Sequence, residues 1–472
     1  MVLIWARDKY YMAYAIGTVD LDAWDHNHAA LIAADLNSLD WFHHASITHT
    51  KPKYININPM TAGHYPKRIQ TGRTLGKLAT THYFQTAILS YAAMGKCVTA
   101  ANGAEITTVE CVAGAAITTG DYFLINTING AGATVENYVW INKAGGGGDP
   151  APGPTGIVVA ILAGDTAAQV ATKVKDVMDL EANYGATVVD TVVTITNTNA
   201  GAVVDASDYN TDFTIAVTTQ GTSIHTITKA TDENPIRLAF HYEKEGGTAQ
   251  RRKDMEGFVP SMVEISVSEK NPIAMQTYTG QFSYTGPGSD LAQPTAHSQK
   301  LLAPFSWSDY KRSSGASAFT YNGGAINVDI VDIVMRFGWT GALFGAYSDF
   351  YPANGLVQPP FVGEIKLGVR LTDTGGTGID TIADLRAVAS AEGPSQYVGD
   401  LNFIADFYRS ATIYNKYTWD KMMVDPDSYE EVFQSEGEWF DGCKFTLKFL
   451  NENSSLAVEE KNPLSKIYYE ND

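Results

Sequence analysis

The 472-residue chain is poor in cysteine, short of basic residues and without long apolar runs, and each shortage narrows its function. Cys97, Cys111 and Cys443 are odd in number, widely spaced and outside any CxxC pattern. That excludes a disulfide framework and the usual zinc and redox motifs, leaving three small buried hydrophobes. Lys and Arg total 33 against 52 Asp and Glu, a net charge of −19. Gripping a nucleic-acid backbone requires clustered cations, so this balance argues against it. No stretch approaches the roughly 20 apolar residues that cross a bilayer, so no membrane partner is expected. The stretch MVLIWARDKYYMAYAIGTVD is interrupted at Arg7, Asp8 and Lys9 before a signal-peptide core forms. The expectation is a protein made in a cytoplasm.

Catalytic signatures are also missing: GxSxG, HExxH, an EF-hand loop and a kinase-type glycine loop are absent. The glycine-rich stretch NKAGGGGDPAPGPTG (142–156) has no GK[ST] and runs through Asp149-Pro150 into an apolar strand from Ile157 to Leu162. It reads as a connection between strands, not a phosphate cradle. His26 and His28, with His43-His44 further on, have no third ligand at fixed spacing, so neither metal nor cofactor is expected. Arg251-Arg252-Lys253 is followed at once by Asp254 and Glu256 and reads as a solvated turn. Carboxylate pairs such as Asp329 with Asp332 and Glu430 with Glu431 stand among surface-like residues. Acid–base catalysis needs opposed environments for its two carboxyls, and nothing here supplies them. The expectation is that the chain is not an enzyme.

What is present is β-structure. Hydrophobic residues make up 44% and aromatics 11%, ample for real cores. Residues 97–224 hold 3 Lys and 13 Asp plus Glu, a net −10, leaving −9 for the other 344 residues. Such a step marks a separate domain, read as an inserted β-rich surface domain over 98–224, and the insert resembles immunoglobulin-like or similar decoration domains. Its expected strands include Tyr122–Ile125 and Tyr138–Ile141, with a hairpin through Asp190-Thr191. One helix is expected, N-capped by Asp165, with Ala167, Val170, Ala171, Val174, Val177 and Met178 as its apolar stripe.

Around the insert, Val263, Ile265 and Val267 alternate with polar residues, as do Phe361 to Leu371 and Phe445, Leu447 and Phe449. From Ile326, Val328 and Ile330 the alternation changes phase to Val331, Ile333, Met335 and Phe337, which predicts a bulge at Ile330-Val331. Tyr54–Asn58 reads as a strand, while 25–42 and 74–95 lean helical, the latter capped by Gly95. The body is expected to be mainly antiparallel β.

LSYAAMGK (89–96), HTITKATDENPIRLAFHYEKEG (225–246) and RRKDMEGFVPSMVEISVSEKNPIAMQTYTGQF (251–282) resemble the major tail tube protein of long-tailed double-stranded DNA viruses. SAFTYNGGAINVDIVDIVMRFGW (317–339), VGEIKLGVRL (362–371) and CKFTLKFLNENS (443–454) resemble the second half of its two-lobed members. The resemblance implies a two-lobed β-sandwich or barrel, one lobe from 1–97 with 225–300 and the other from 301–472. It implies a virion protein that closes into rings, of three pseudo-sixfold chains or of six, stacked into a tube for DNA ejection. Implied partners are copies of itself, other tail proteins at the tube ends, a tape-measure protein in the lumen and passing genomic DNA. Glu264, Asp329, Asp332 and Glu364 are the candidate lumen-facing residues, whose charge would repel phosphates. Segments 283–294 and 341–355 would bridge successive rings. The alternatives are another virion component (baseplate, tail tip or capsid decoration), a cell-surface adhesin or carbohydrate-binding protein, or an enzyme on a β-sandwich.

Overall fold

The computed structural model describes residues 10–17, 40–50, 76–129, 134–144, 146–201, 203–230, 237–244, 251–282, 284–285, 303–311, 319–321, 324–325, 328–345, 354–371, 401–435, 438–449 and 453–462. The protein is mainly β. In chain order the elements begin β1 (Tyr10–Gly17), β2 (Asp40–Thr50), β3 (Gly76–Tyr83), α1 (Ile88–Met94), β4 (Gly95–Gly103), β5 (Ile106–Glu110), β6 (Tyr122–Ile128), β7 (Thr134–Lys143) and β8 (Thr155–Ile161). Next come α2 (Ala167–Met178), β9 (Tyr184–Val189), β10 (Val192–Asn197), β11 (Ser207–Asp208), β12 (Thr214–Thr219), β13 (Thr222–Lys229), β14 (Arg237–Lys244), β15 (Arg251–Ser268), β16 (Met275–Phe282) and β17 (Tyr284–Thr285). The last are α3 (Trp307–Lys311), β18 (Phe319–Tyr321), β19 (Gly324–Ala325), β20 (Val328–Gly345), β21 (Asn354–Leu371), β22 (Leu401–Ser410), β23 (Ile413–Val424), β24 (Glu430–Ser435), β25 (Glu438–Phe449) and β26 (Ser455–Lys461). Among the described residues, no helix is long and apolar enough to cross a membrane.

The chain forms two compact units, one of residues 99–225 with 461–463, the other of the remainder. In the larger unit, β2, β3, β16, β15, β20, β21, β25 and β24 pair in that order as one antiparallel sheet. Period-two alternation then decides what each face meets. Val263, Ile265 and Val267 face inward beside Ile333, Met335 and Phe337, then Ile365, Leu367 and Val369, then Phe445 and Leu447, all buried in one core. Opposite them lie Phe403, Ala405 and Phe407 of β22 and Tyr417 and Trp419 of β23. Segments assigned from sequence to two lobes thus share one sheet and one core.

All seven residues of α1 are buried, and Gly95 ends the helix in the left-handed conformation, φ 94°. Two side chains anchor it: Ser90 Oγ lies 2.9 Å from Tyr417 Oη, and Trp339 Nε1 donates to the Ala93 carbonyl at 2.8 Å. The bulge expected at Ile330-Val331 is present, since the β20–β21 register shifts between Ile330 and Asp332. Its second shift, between Trp339 and Gly341, follows Gly338, whose φ of 146° and close approach to Ser261 leave no room for a side chain.

The smaller unit is a sandwich of sheets β12-β5-β10-β9 and β11-β6-β7-β8. Phe123, Ile125, Val139, Ile141, Ile157 and Val159 meet Val109, Val193 and Ile195 in its core. The hairpin through Asp190 and Thr191 pairs Val189 with Val192, Asp190 taking φ 52°. One pair, β7–β8, is parallel, and together with α2 it departs from an immunoglobulin arrangement of purely antiparallel sheets. The glycine-rich stretch, with Ala144–Pro154 at its centre, is the crossover that makes this pair, shorter than parallel connections usually are.

Several expectations are corrected. The N-cap of α2 is Thr166, not Asp165: Thr166 and Gln169 satisfy each other's backbone N–H groups, while Asp165 accepts from Leu162 N and Lys173 Nζ. Val170, Ala171, Val174 and Met178 of the expected stripe are buried. Residues 76–83 are the strand β3, because Leu78, Thr80 and His82 alternate inward, and only 88–94 are helical. Asp40 to Phe42 begin the strand β2, and the rest of 25–42, with His26, His28 and Tyr54–Asn58, lies outside the described residues. Arg251 to Lys253 are not a turn but open β15, paired with Lys244 to Tyr242 of β14.

Candidate functional site

The four candidate acidic residues share the outward face of the long sheet, because each sits one position away from a buried apolar residue. Glu264 precedes Ile265, Asp329 precedes Ile330, Asp332 precedes Ile333 and Glu364 precedes Ile365. All four are half-buried. They do not form an acidic surface. Register sets Glu264 opposite Arg336, Arg336 opposite Glu364, and Glu364 opposite Lys448, a row of alternating charge across β15, β20, β21 and β25.

Neighbouring rows repeat the device. Asp329 faces Arg370, with Arg370 Nη1 3.6 Å from Asp329 Oδ2 and Nη2 3.4 Å from Glu269 Oε2. Asp332 lies across Gly368 from Lys444, which in turn faces Glu430. Burial pushes the Asp332 carboxyl up from its ordinary value, and the Lys444 ammonium pulls it back. Lys366 Nζ lies 3.4 Å from Glu364 Oε1. Lys448 bonds to Asp425, which holds its ammonium above the ordinary lysine range. Directly opposed unlike charges each contribute a few tenths to about 1 kcal/mol to a sheet. The face is therefore hydrophilic and nearly neutral, and it offers no run of unanswered cations.

β20 and β21 pair with β15 and β25 only up to Gly338 and from Glu364. Beyond those points Gly341–Gly345 pairs with Asn354–Gln358 as a two-stranded ribbon. The expected bridging segment 341–355 is thus partly strand.

Sequence reasoning missed the basic half of each row. Arg336 was legible, since it stands between Met335 and Phe337 at a period-two position; which charge opposes it depends on register and was not. Also missed was Glu105 in the smaller unit. It is 2% exposed, its Oε1 accepts from Thr107 Oγ1 at 3.3 Å, and its Oε2 has no partner among the described residues. Burial first, and then the nearby Asp205 carboxylate, push its carboxyl up to about 7.

Chemistry elsewhere is sparse. Cys97, Cys111 and Cys443 are buried and form no disulfide, and burial pushes the Cys111 thiol up to about 12, which makes it inert. Among the described residues, no group of three or more His, Cys, Asp or Glu is placed to hold a metal ion. No protein-family model matches the chain, and no curated protein matches it.

Proposed function

We propose that the chain is a tail tube protein of a long-tailed double-stranded DNA virus, closing into rings that stack as the conduit for DNA ejection. The observation that carries this reading is the long sheet with two unlike faces, one sealed in a continuous core and the other a nearly neutral charge mosaic. A tube wall needs such a sheet, since its inner surface must be wetted without holding what passes. DNA binds through release of counterions by unpaired cations, and a face whose every cation is answered by a carboxylate releases few. Glu264, Asp329, Asp332 and Glu364 would face the lumen together with Arg336, Lys366, Lys444 and Lys448. Ring closure would remove sheet edges that otherwise invite aggregation.

The ribbon of β20 and β21 supports self-assembly. Among the described residues no third strand joins it, and a two-stranded ribbon alone is marginal in water, so a neighbouring copy is a natural surface for it to lie against. The partners on this reading are copies of the chain, other tail proteins, a tape-measure protein and passing DNA, and the location is the virion tail. The test is negative-stain electron microscopy of the purified full chain with light scattering across salt concentrations. Stacked hollow rings with a channel wide enough for duplex DNA are expected, with threefold or sixfold averages fixing the number of chains. Closed particles without a channel, or rings that never stack, would overturn the reading.

A further inference from the structure

One buried carboxylate of the smaller unit is only half satisfied. Glu105, between β4 and β5, is 2% exposed, and its Oε1 accepts from Thr107 while its Oε2 has no hydrogen-bond partner among the described residues. No described cation is among the groups that act on it.

Three stretches of backbone converge around this side chain, and glycine lets them do so. Gly201 N donates to the Gly103 carbonyl at 2.9 Å, and Gly201 takes φ 140°, a conformation that favours glycine. Its carbonyl oxygen lies so near Gly221 that a Cβ there would come within 2.1 Å of it. The same Cβ would stand 3.4 Å from Glu105 Cβ, so the Gly201 oxygen and the Glu105 side chain border one spot. Next to Gly221, Gln220 Nε2 donates to Asp205 Oδ1 at 3.1 Å, which brings in a second, half-buried acid. The Asp205 charge is close enough to act on the Glu105 carboxyl. Two carboxylates and a main-chain carbonyl thus meet at one end of the sandwich.

Two like charges set together, one of them out of water, oppose each other, and a cation between them turns that repulsion into attraction. The donors are all oxygen, which suits a hard cation. Magnesium demands a near-ideal octahedron and gives up its waters reluctantly, whereas calcium accepts an irregular set of carboxylates, carbonyls and waters and can bind an oxygen out of reach of solvent. We propose that Glu105 and Asp205, with the Gly201 carbonyl, hold a calcium ion that clamps these three stretches of the smaller unit together. Only two of the ligands are carboxylates, so water completes the shell and the affinity falls in the weak range, a Kd of about 0.1–1 mM.

The test is calorimetric titration of the full chain, cleared of metal by a chelator, with calcium chloride and separately with magnesium chloride. It is run at pH 8, above the range in which Glu105 holds a proton. Saturable calcium binding is expected, with magnesium at least about tenfold weaker. Glu105→Gln and Asp205→Asn should each weaken calcium binding about tenfold or more, since each removes one of two ligand charges. Hydrogen exchange of β5, at a calcium concentration about ten times the Kd, should slow about tenfold in the wild type and stay unchanged in both variants. The same exchange pattern without calcium shows whether each variant is folded. No saturable calcium binding, magnesium binding as tightly, either folded variant binding calcium as the wild type does, or a slowing of β5 that persists in the variants would each overturn the proposal.

Discussion

Glu105→Gln should stabilise the smaller unit, and only above acidic pH. The carboxyl is 2% exposed and beside Asp205, and its value moves from 4.5 to about 7 on folding. Because the folded state holds the proton more tightly, the unfolded state ionises first as pH rises. Stability is therefore lost between about 4.5 and about 7 and is level above that, the reverse of a salt-bridged carboxylate. A shift of this size amounts to ~3 kcal/mol, at 1.36 kcal/mol for each pH unit. The amide of Gln mimics the protonated acid: its oxygen can keep the Thr107 hydrogen bond and its NH2 can face Asp205. The assay is urea unfolding of the full chain at pH 4 and pH 8, following strands β5 and β10 by hydrogen exchange or NMR. The wild type should lose about 3 kcal/mol more than Glu105→Gln between the two conditions. Equal losses, or a variant less stable at pH 8, would refute the reasoning.

Arg336→Glu would set three carboxylates in a row with Glu264 and Glu364; a loss of about 1–2 kcal/mol is expected at low salt, shrinking at high salt, read from urea midpoints. Gly338→Ala would drive a Cβ to 2.1 Å from the Ser261 carbonyl oxygen, a backbone atom that cannot swing aside; thermal unfolding should show a loss of at least about 3 kcal/mol. Met178→Ala empties a fully buried position under α2 and should cost about 2–5 kcal/mol by the same measurement. Thr166→Ala removes one half of the reciprocal cap and should cost about 1 kcal/mol.

The sequence was most legible where alternation is strict. Val263, Ile265 and Val267 declared their face, and the phase change at Ile330-Val331 declared a bulge, because a two-residue period admits only two orientations. The hairpin at Asp190 was legible because its strands are apolar and its turn is two residues long. It was least legible where helical and strand periods overlap. Gly76 to Tyr83 carries threonines and a histidine inward, so hydrophobicity alone did not mark the strand, and the pairing of β3 with β2 and β16 decided it. The Asp165 error has a local cause: both Asp165 and Thr166 are good caps, and only Gln169 at the reciprocal position favours the second. The candidate face was half legible, its acids visible and their basic partners hidden, since opposition across strands from 264 to 448 is a property of register. The stacking of Tyr209 on Tyr122 was not legible at all, because the two residues lie 87 positions apart in the chain.

The alternating charges of the long sheet also bear on how the chain finds its native alignment. Hydrophobic alternation detects a slip of one residue, which turns every core side chain outward, but it is blind to a slip of two. The charge rows are not blind. Sliding β21 by two positions in one direction brings Lys366 against both Arg336 and Lys448, and sliding it in either direction carries Glu364 away from both of its cations. Apolar pattern and charge pattern thus act as two codes of different period written on opposite faces of the same strands, and the second rejects the misalignments that the first accepts.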